Sequence, residues 1–271
     1  MEVLHSVILR WAHAPGKGLC TGWKMRGLAW KSVTIDELIA LAGEQPTRVS
    51  RRSGVSRSTL KRVKDGTSEP TLSTLREVAL ALGLDVTVTA GPASDPFAAA
   101  AARTLIDDSV PENPEDSGIV AWLDRFERWN ITDPLTLVAE AGIVQGITRR
   151  PGARFLATDP GDLAELPDLL AGQDTRWALS GAATATVILG RVVEGPTVVW
   201  HDGGDTAFDF GTPVADPGAA DVILVPAGAT ELAGHYAQGP LNFVAPVQLV
   251  IDLHSLGMYE EAEFLTGGWR N

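Results

Sequence analysis

Between Arg48 and Lys64 the chain sets seven bases, Arg48, Arg51, Arg52, Arg57, Lys61, Arg62 and Lys64, and no acid. Guanidinium and ammonium groups at this density neutralise phosphates, and an arginine at the start of a helix can also bridge the two acceptors on a guanine edge. Two of the hydroxyls among them matter here. Ser56 stands where a helix start needs an acceptor for a free first-turn amide, and Ser58 follows Arg57 at the head of the same stretch. The rival reading is a basic surface with no partner, but a merely solvated helix face usually mixes signs, and here the charge coincides with a Gly54 turn and a Ser56 cap. The expected chemistry is recognition of duplex DNA, with Arg48, Arg51, Arg52, Ser56, Arg57, Ser58, Lys61, Arg62 and Lys64 as candidate contacts.

Elsewhere the reactive residue types fall short of a site. His201-Asp202-Gly203-Gly204-Asp205 brings an imidazole and carboxylates together as a metal site does, yet its two glycines read as a turn between strands. His254-Ser255 lacks the glycine elbow that a serine nucleophile requires, and no glycine-rich phosphate loop ending in Lys-Ser or Lys-Thr occurs. Ser180-Gly181 is not followed by the paired acids with which a nucleotidyltransferase holds magnesium. His235 and Tyr236 read as ordinary, partly buried neighbours. The expectation is a protein without catalytic residues, metal or cofactor.

The basic residues need helices to carry them. Leu38, Ile39, Leu41 and Ala42 recur at helical spacing until Gly43; Pro46 opens a short helix over Thr47 to Ser53, closed by Gly54; Ser56 caps a third helix with Leu60 and Val63 inward, ending at Gly66. A fourth helix starts at Thr71 or Ser73, with Leu72, Leu75, Val78, Ala79 and Leu82 as its apolar positions until Gly83. Beyond a break over residues 91–95, Pro96 opens an alanine-rich helix from Phe97 to Ile106, and residues 107–118, with two prolines and five acids, read as a tether. Ile119 to Trp129 and Leu135 to Ala141 read as helices. Short β-like runs occur at Arg154 to Ala157, Thr197 to Trp200 and Val222 to Val225, and Pro246 to Leu253 reads as an amphipathic helix continued by Glu260 to Leu265.

The fold class expected is therefore multidomain, an all-α helix-turn-helix domain followed by a mixed α+β domain. The expected boundaries are an extension over 1–33, the helix-turn-helix domain over 34–92, a helix and acidic linker over 93–118, and the α+β domain over 119–271. Residues 1–33 hold three of the eight tryptophans and no periodicity; either they are an upstream extension from an early translation start or they form a short ordered arm.

Charge divides the same way. Residues 1–92 carry 13 Lys or Arg against 8 acids, a net of +5, whereas residues 93–271 carry 9 Arg, no Lys and 26 acids, a net of −17. Phosphate attraction acts over about 8 to 10 Å, so a basic head can hold DNA while an acidic body is repelled from it. The single cysteine, Cys20, excludes an internal disulfide and a cysteine-zinc cluster, no apolar run is long enough for a membrane span, and no secretory signal is recognisable; a cytoplasmic protein is expected.

Over about 50 residues the sequence resembles the phage-repressor-like, or xenobiotic-response-element, helix-turn-helix family. Val49, Ser50, Gly54, Val55, Ser56, Leu60, Val63, Gly66, Pro70, Leu72, Leu75, Ala79 and Leu82 fall where that family places core, turn and cap residues. Ser50 replaces a usual alanine and Lys64 a common glutamate. The resemblance implies that the third helix reads DNA, with Ser56, Arg57 and Ser58 at its start and Lys61 or Arg62 one turn on, while Arg48, Arg51, Arg52 and Lys64 grip phosphates. It also implies a homodimer on a palindromic operator, although no heptad seam shows how the chains would pair.

Residues 176–265 resemble the carboxy-terminal domain of the abortive-infection E antitoxins, AbiEi. Arg176-Trp177-Ala178-Leu179-Ser180-Gly181 before an alanine-rich helix is similar to that family's Arg-Tyr-Ala-Leu-Thr-Gly, and Val198-Val199-Trp200 supplies the strand that follows. Residues 220–226 are similar to a later strand, and residues 244–253 to a Ser-Pro-Val-Gln-Leu helix. The family pairs with a nucleotidyltransferase toxin and represses its own operon through a winged helix, so this resemblance implies an antitoxin with a toxin partner. The phage-repressor-like head departs from that pattern, leaving a stand-alone regulator whose body senses a ligand or dimerises as the alternative.

Overall fold

The structure, a computed structural model, describes residues 7–10, 33–88, 90–110, 115–158, 168, 175–203, 210–228 and 230–269. The chain divides into two compact units, Met1–Gly91 and Pro92–Asn271. Trp11, Cys20, Trp23 and Trp30 lie outside the described residues.

The described residues of the first unit are helical apart from one strand pair. Strand β1 (Val7–Arg10) runs antiparallel to β2 (Asp85–Val88). Helix α1 (Ile35–Glu44) starts from a capping box: the Thr34 hydroxyl accepts from the Glu37 amide, and the Glu37 carboxylate accepts from the Thr34 amide. Pro46 takes the first position of α2 (Pro46–Ser53), where its missing N–H costs nothing. Gly54 ends α2 at φ 74°, a left-handed turn that a side chain would strain. Ser56 then caps α3 (Arg57–Lys64) by accepting from the Thr59 amide, and Thr71 does the same for α4 (Leu72–Leu82) through Thr74. Leu38, Ile39, Val49, Leu60, Leu75, Val78 and Ala79 form the buried core. Leu72, counted with the apolar positions, is 53 % exposed because it opens α4 at the rim of that core.

In the second unit α5 (Pro96–Ile106), α6 (Ser117–Arg128) and α7 (Pro134–Gln145) precede the sheet, each started by an aspartate, Asp95, Asp116 or Asp133, whose carboxylate accepts a first-turn amide. The described strands β3 (Arg154–Ala157), β4 (Trp177–Gly181), β5 (Thr197–His201), β6 (Thr212–Pro213), β7 (Val222–Pro226), β8 (Tyr236–Gln238) and β9 (Leu241–Phe243) lie in the order β6-β3-β7-β5-β4-β9-β8. Pairing is mixed: β5 runs parallel to β7 and β4 to β9, while β4 and β5 are antiparallel. Helix α8 (Ala182–Leu189) follows β4, and α9 (Pro246–Leu256) and α10 (Tyr259–Thr266) close the unit. Together with the helices, Ala178, Val198, Trp200, Ile223 and Val225 build the larger core; Leu156, Trp177, Leu179, Val199, Val222, Leu224 and Phe243 form a second cluster.

Two expectations change here. The alanine-rich helix, expected to stand with the acidic linker outside the α+β domain, is α5, and Ala98 to Ala102 together with Arg103 are buried in the second unit. Five small residues in succession let neighbouring elements approach that helix on every side, which a tether does not need. Helix α9 is not amphipathic: every residue from Gln248 to Leu253 is buried. It packs closely on α7 at Gly142, where a Cβ would stand 2.4 Å from His254 Cβ and 2.6 Å from the Ile251 carbonyl oxygen.

Candidate nucleic-acid interface

All nine residues proposed for DNA contact are exposed, and they are set on α2, α3 and the cap between them. Helical geometry sorts them. At about 100° per residue, Ser58 and Lys61 lie roughly 160° and 100° from the buried Leu60 of α3, with Arg57 and Arg62 flanking that outward stripe. On α2, Arg51 lies about 160° from the buried Val49 and Arg48 about 100°. Within the stripe the hydroxyls are already engaged: Ser56 Oγ lies 2.8 Å from both Ser58 Oγ and Thr59 Oγ1, which holds the start of α3 rigid. Arg48 donates to Gln45 Oε1 at 3.0 Å, and Arg52 reaches back to the Ala81 carbonyl at 3.3 Å. The arrangement is a short helix with an outward Arg, Ser and Lys, flanked by a second helix with further cations, the geometry by which such a pair enters a major groove and grips its backbone.

The second unit holds a buried polar network. Asp252 of α9 is fully buried and accepts from Ser180 Oγ at 2.6 Å, Trp200 Nε1 at 2.8 Å, Gln248 Nε2 at 2.7 Å and Gln145 Nε2 at 3.0 Å. Burial pushes its carboxyl above the usual range, and the four donors pull against that shift. Arg150 lies over the Trp200 ring, 5.2 Å from its centroid, and pairs with the buried Glu231; burial lowers its guanidinium to about 10. Arg103 is buried too, with Asp107 at 2.6 Å and the Ala233 carbonyl at 2.8 Å accepting from it. Sequence reasoning missed this network. Its signal was Gln248 and Asp252, four residues apart within an apolar run, which places two polar groups on one side of a helix that has no wet face.

The remaining candidates do not gather. His201 ends β5 with its ring 3.1 Å from the Gly203 carbonyl, Asp202 accepts from Thr175 and Arg176, and Asp205 lies outside the described residues. His235 contacts the Leu232 carbonyl, and Ser255 accepts from the Ile147 amide. Among the described residues no three His, Cys, Asp or Glu side chains come together as metal ligands would, and no helix is long and apolar enough to cross a membrane.

Comparison with known proteins gives one family: the helix-turn-helix model matches residues 45–88, from the end of α1 through β2. No curated protein and no solved structure matches the chain. The chain thus carries a helix-turn-helix domain of the phage-repressor-like kind, the domain of DNA-binding regulators, followed by a region of mixed sheet and helices.

Proposed function

We propose that this chain is a sequence-specific repressor, and that its first unit reads an operator through α3. The observation that carries this is the outward pair Ser58 and Lys61, flanked by Arg57 and Arg62, set on a side-chain-capped helix within a run of seven bases and no acid. Arg57→Ala is expected to weaken a selected duplex by about 1 to 3 kcal/mol and to leave random duplex nearly unchanged, whereas Arg51→Ala weakens both alike. Equal losses on both duplexes for Arg57→Ala would remove Arg57 from the base-reading set.

The second unit, in this reading, is an antitoxin that neutralises a nucleotidyltransferase-type toxin, and the head represses the shared operon. Two features support it: the net charge of −17 over residues 93–271, which suits a cationic protein partner, and the meeting of Ser180, Trp200, Gln248 and Asp252, drawn from the stretches that resemble the AbiEi domain, in one buried network. The test is growth of cells expressing the adjacent gene of the operon with and without this chain. Arrest relieved by the chain supports the antitoxin role; a harmless neighbour, or arrest that persists, leaves a repressor whose second unit dimerises or senses a ligand.

A further inference from the structure

The seven bases of the first unit are not equivalent. On α3, Lys64 follows the buried Leu60 by four residues and so lies only about 40° from it around the helix axis. On α2, Arg52 follows the buried Val49 by three and lies about 60° from it. Both therefore sit on the flank turned toward a neighbouring helix, away from the outward stripe of Arg51, Ser58 and Lys61.

Each meets the carboxy-terminal end of that neighbour. In α4 the Ala79 and Leu80 carbonyls accept from the Leu84 and Gly83 amides, and the Ala81 carbonyl accepts from Arg52 Nη1 at 3.3 Å. In α1, Lys64 lies along Gly43, with Nζ 3.6 Å and Cδ 3.7 Å from the point where a side chain at residue 43 would begin. Neither α1 nor α4 has a basic residue in its own last turn. The carbonyl end of a helix carries partial negative charge, and a cation there is favourable. The two DNA-facing helices each lend one cation to the end of a scaffold helix.

We propose that Arg52 and Lys64 are positioning residues: they fix α2 against α4 and α3 against α1, and so set the angle at which the outward stripe meets DNA, instead of neutralising phosphates as the family resemblance implied. This rests on the DNA-reading function proposed above. A phosphate contact and a positioning contact differ in what salt does to them. Losing a phosphate contact removes a released counterion and lowers the slope of log affinity against log salt by about 0.9, on any sequence. Losing a positioning contact leaves the slope and impairs discrimination.

The experiment uses the full chain. Wild type first enriches a duplex from a random pool; affinities for that duplex and a scrambled one of equal length are then measured across a potassium chloride series for Arg52→Gln, Lys64→Gln and, as the phosphate control, Arg51→Gln. Expected for Arg52→Gln and Lys64→Gln is an unchanged salt slope, with the ratio of selected to scrambled affinity falling roughly two- to fivefold, since each helix-end cation is a modest interaction. Arg51→Gln lowers the slope and leaves the ratio. Arg52→Lys and Lys64→Arg, which keep the charge, restore the ratio. A slope that falls as for Arg51→Gln overturns the proposal, as does a lowered melting temperature with the ratio intact below it, because that is a stabilising role alone. If wild type enriches no sequence, the DNA-reading function falls and this inference with it; enrichment followed by either contrary result removes this inference only.

Discussion

In the first unit every base from Arg48 to Lys64 keeps its charge at the surface, whereas in the second Arg103 and Arg150 are buried with Asp107 and Glu231. The contrast extends to hydroxyls and carboxylates. Ser56 and Thr71 cap exposed helix starts, while Ser180 and Asp252 face each other inside the core. A surface that reads a polyanion needs cations that water and salt can reach and a scaffold that holds them at one angle. Polar groups placed inside a core help to specify its interior instead, because a buried donor left without an acceptor is costly.

The sharpest way to break that comparison is Asp252→Ala. It leaves Ser180, Trp200, Gln145 and Gln248 with donors that have lost their acceptor in a water-free interior, and the expected loss is at least about 3 kcal/mol of stability in the second unit. Calorimetry of the full chain would show that transition moved to lower temperature, with affinity for a selected duplex unchanged below it. A variant melting like wild type would show the network to be dispensable, and a parallel loss of duplex affinity would show that the two units are not independent in function.

The two regions also differ in how far their sequences could be read. Around the interface the determinants are local: Thr34 with Glu37, Pro46, Gly54, and Ser56 with Thr59 are each pairs or single residues within one turn, so their meaning survives without knowledge of the fold. The outward placement of Arg57, Ser58, Lys61, Arg62 and Lys64 was read from the periodicity of α3. What periodicity could not supply was what Arg52 and Lys64 meet, since Ala81 and Gly43 are far along the chain. In the second unit β3, β5 and β7 were legible as short β-like runs, but α5 and α9 were not legible as core elements. An alanine run reads as a helix whether that helix is close-packed on all sides or stands beside a linker. Gln248 and Asp252 look like a wet face until Ser180, Trp200 and Gln145 arrive from strands and a helix 52 to 107 residues away.

A smaller effect sharpens the picture of the first unit as a rigid reader. Ser56→Ala removes the acceptor for the Thr59 amide and the hydroxyl contact to Ser58, and is expected to lower stability of the unit by about 1 kcal/mol. Ser56→Asp keeps a capping acceptor but adds a negative charge where phosphates are expected. The comparison to make is thermal unfolding beside duplex affinity. If the cap serves the helix, Ser56→Asp melts like wild type while binding more weakly; if it melts like Ser56→Ala, the hydroxyl matters through Ser58 and not through the cap.

The smallest expected effect lies where α7 and α9 meet in the second unit. His254 is half-buried beside Gly142, with its ring 5.8 Å from that of Tyr259, and burial holds its imidazole below the ordinary value. The folded state therefore favours the neutral ring, while the unfolded chain takes up a proton as pH falls through about 6.5. In that window the unfolded state binds more protons, so stability rises with pH through it and declines on acidification below it. The raised Asp252 carboxyl works in the opposite direction, losing stability as pH rises, so the wild-type curve alone does not isolate the histidine. The difference between wild type and His254→Gln does: urea midpoints measured from pH 5 to 8 are expected to converge or cross toward acid, because only wild type bears the cost of leaving an imidazolium out of the fold. Parallel curves would mean that the ring titrates alike folded and unfolded, and that the packing at Gly142 does not shield it from water.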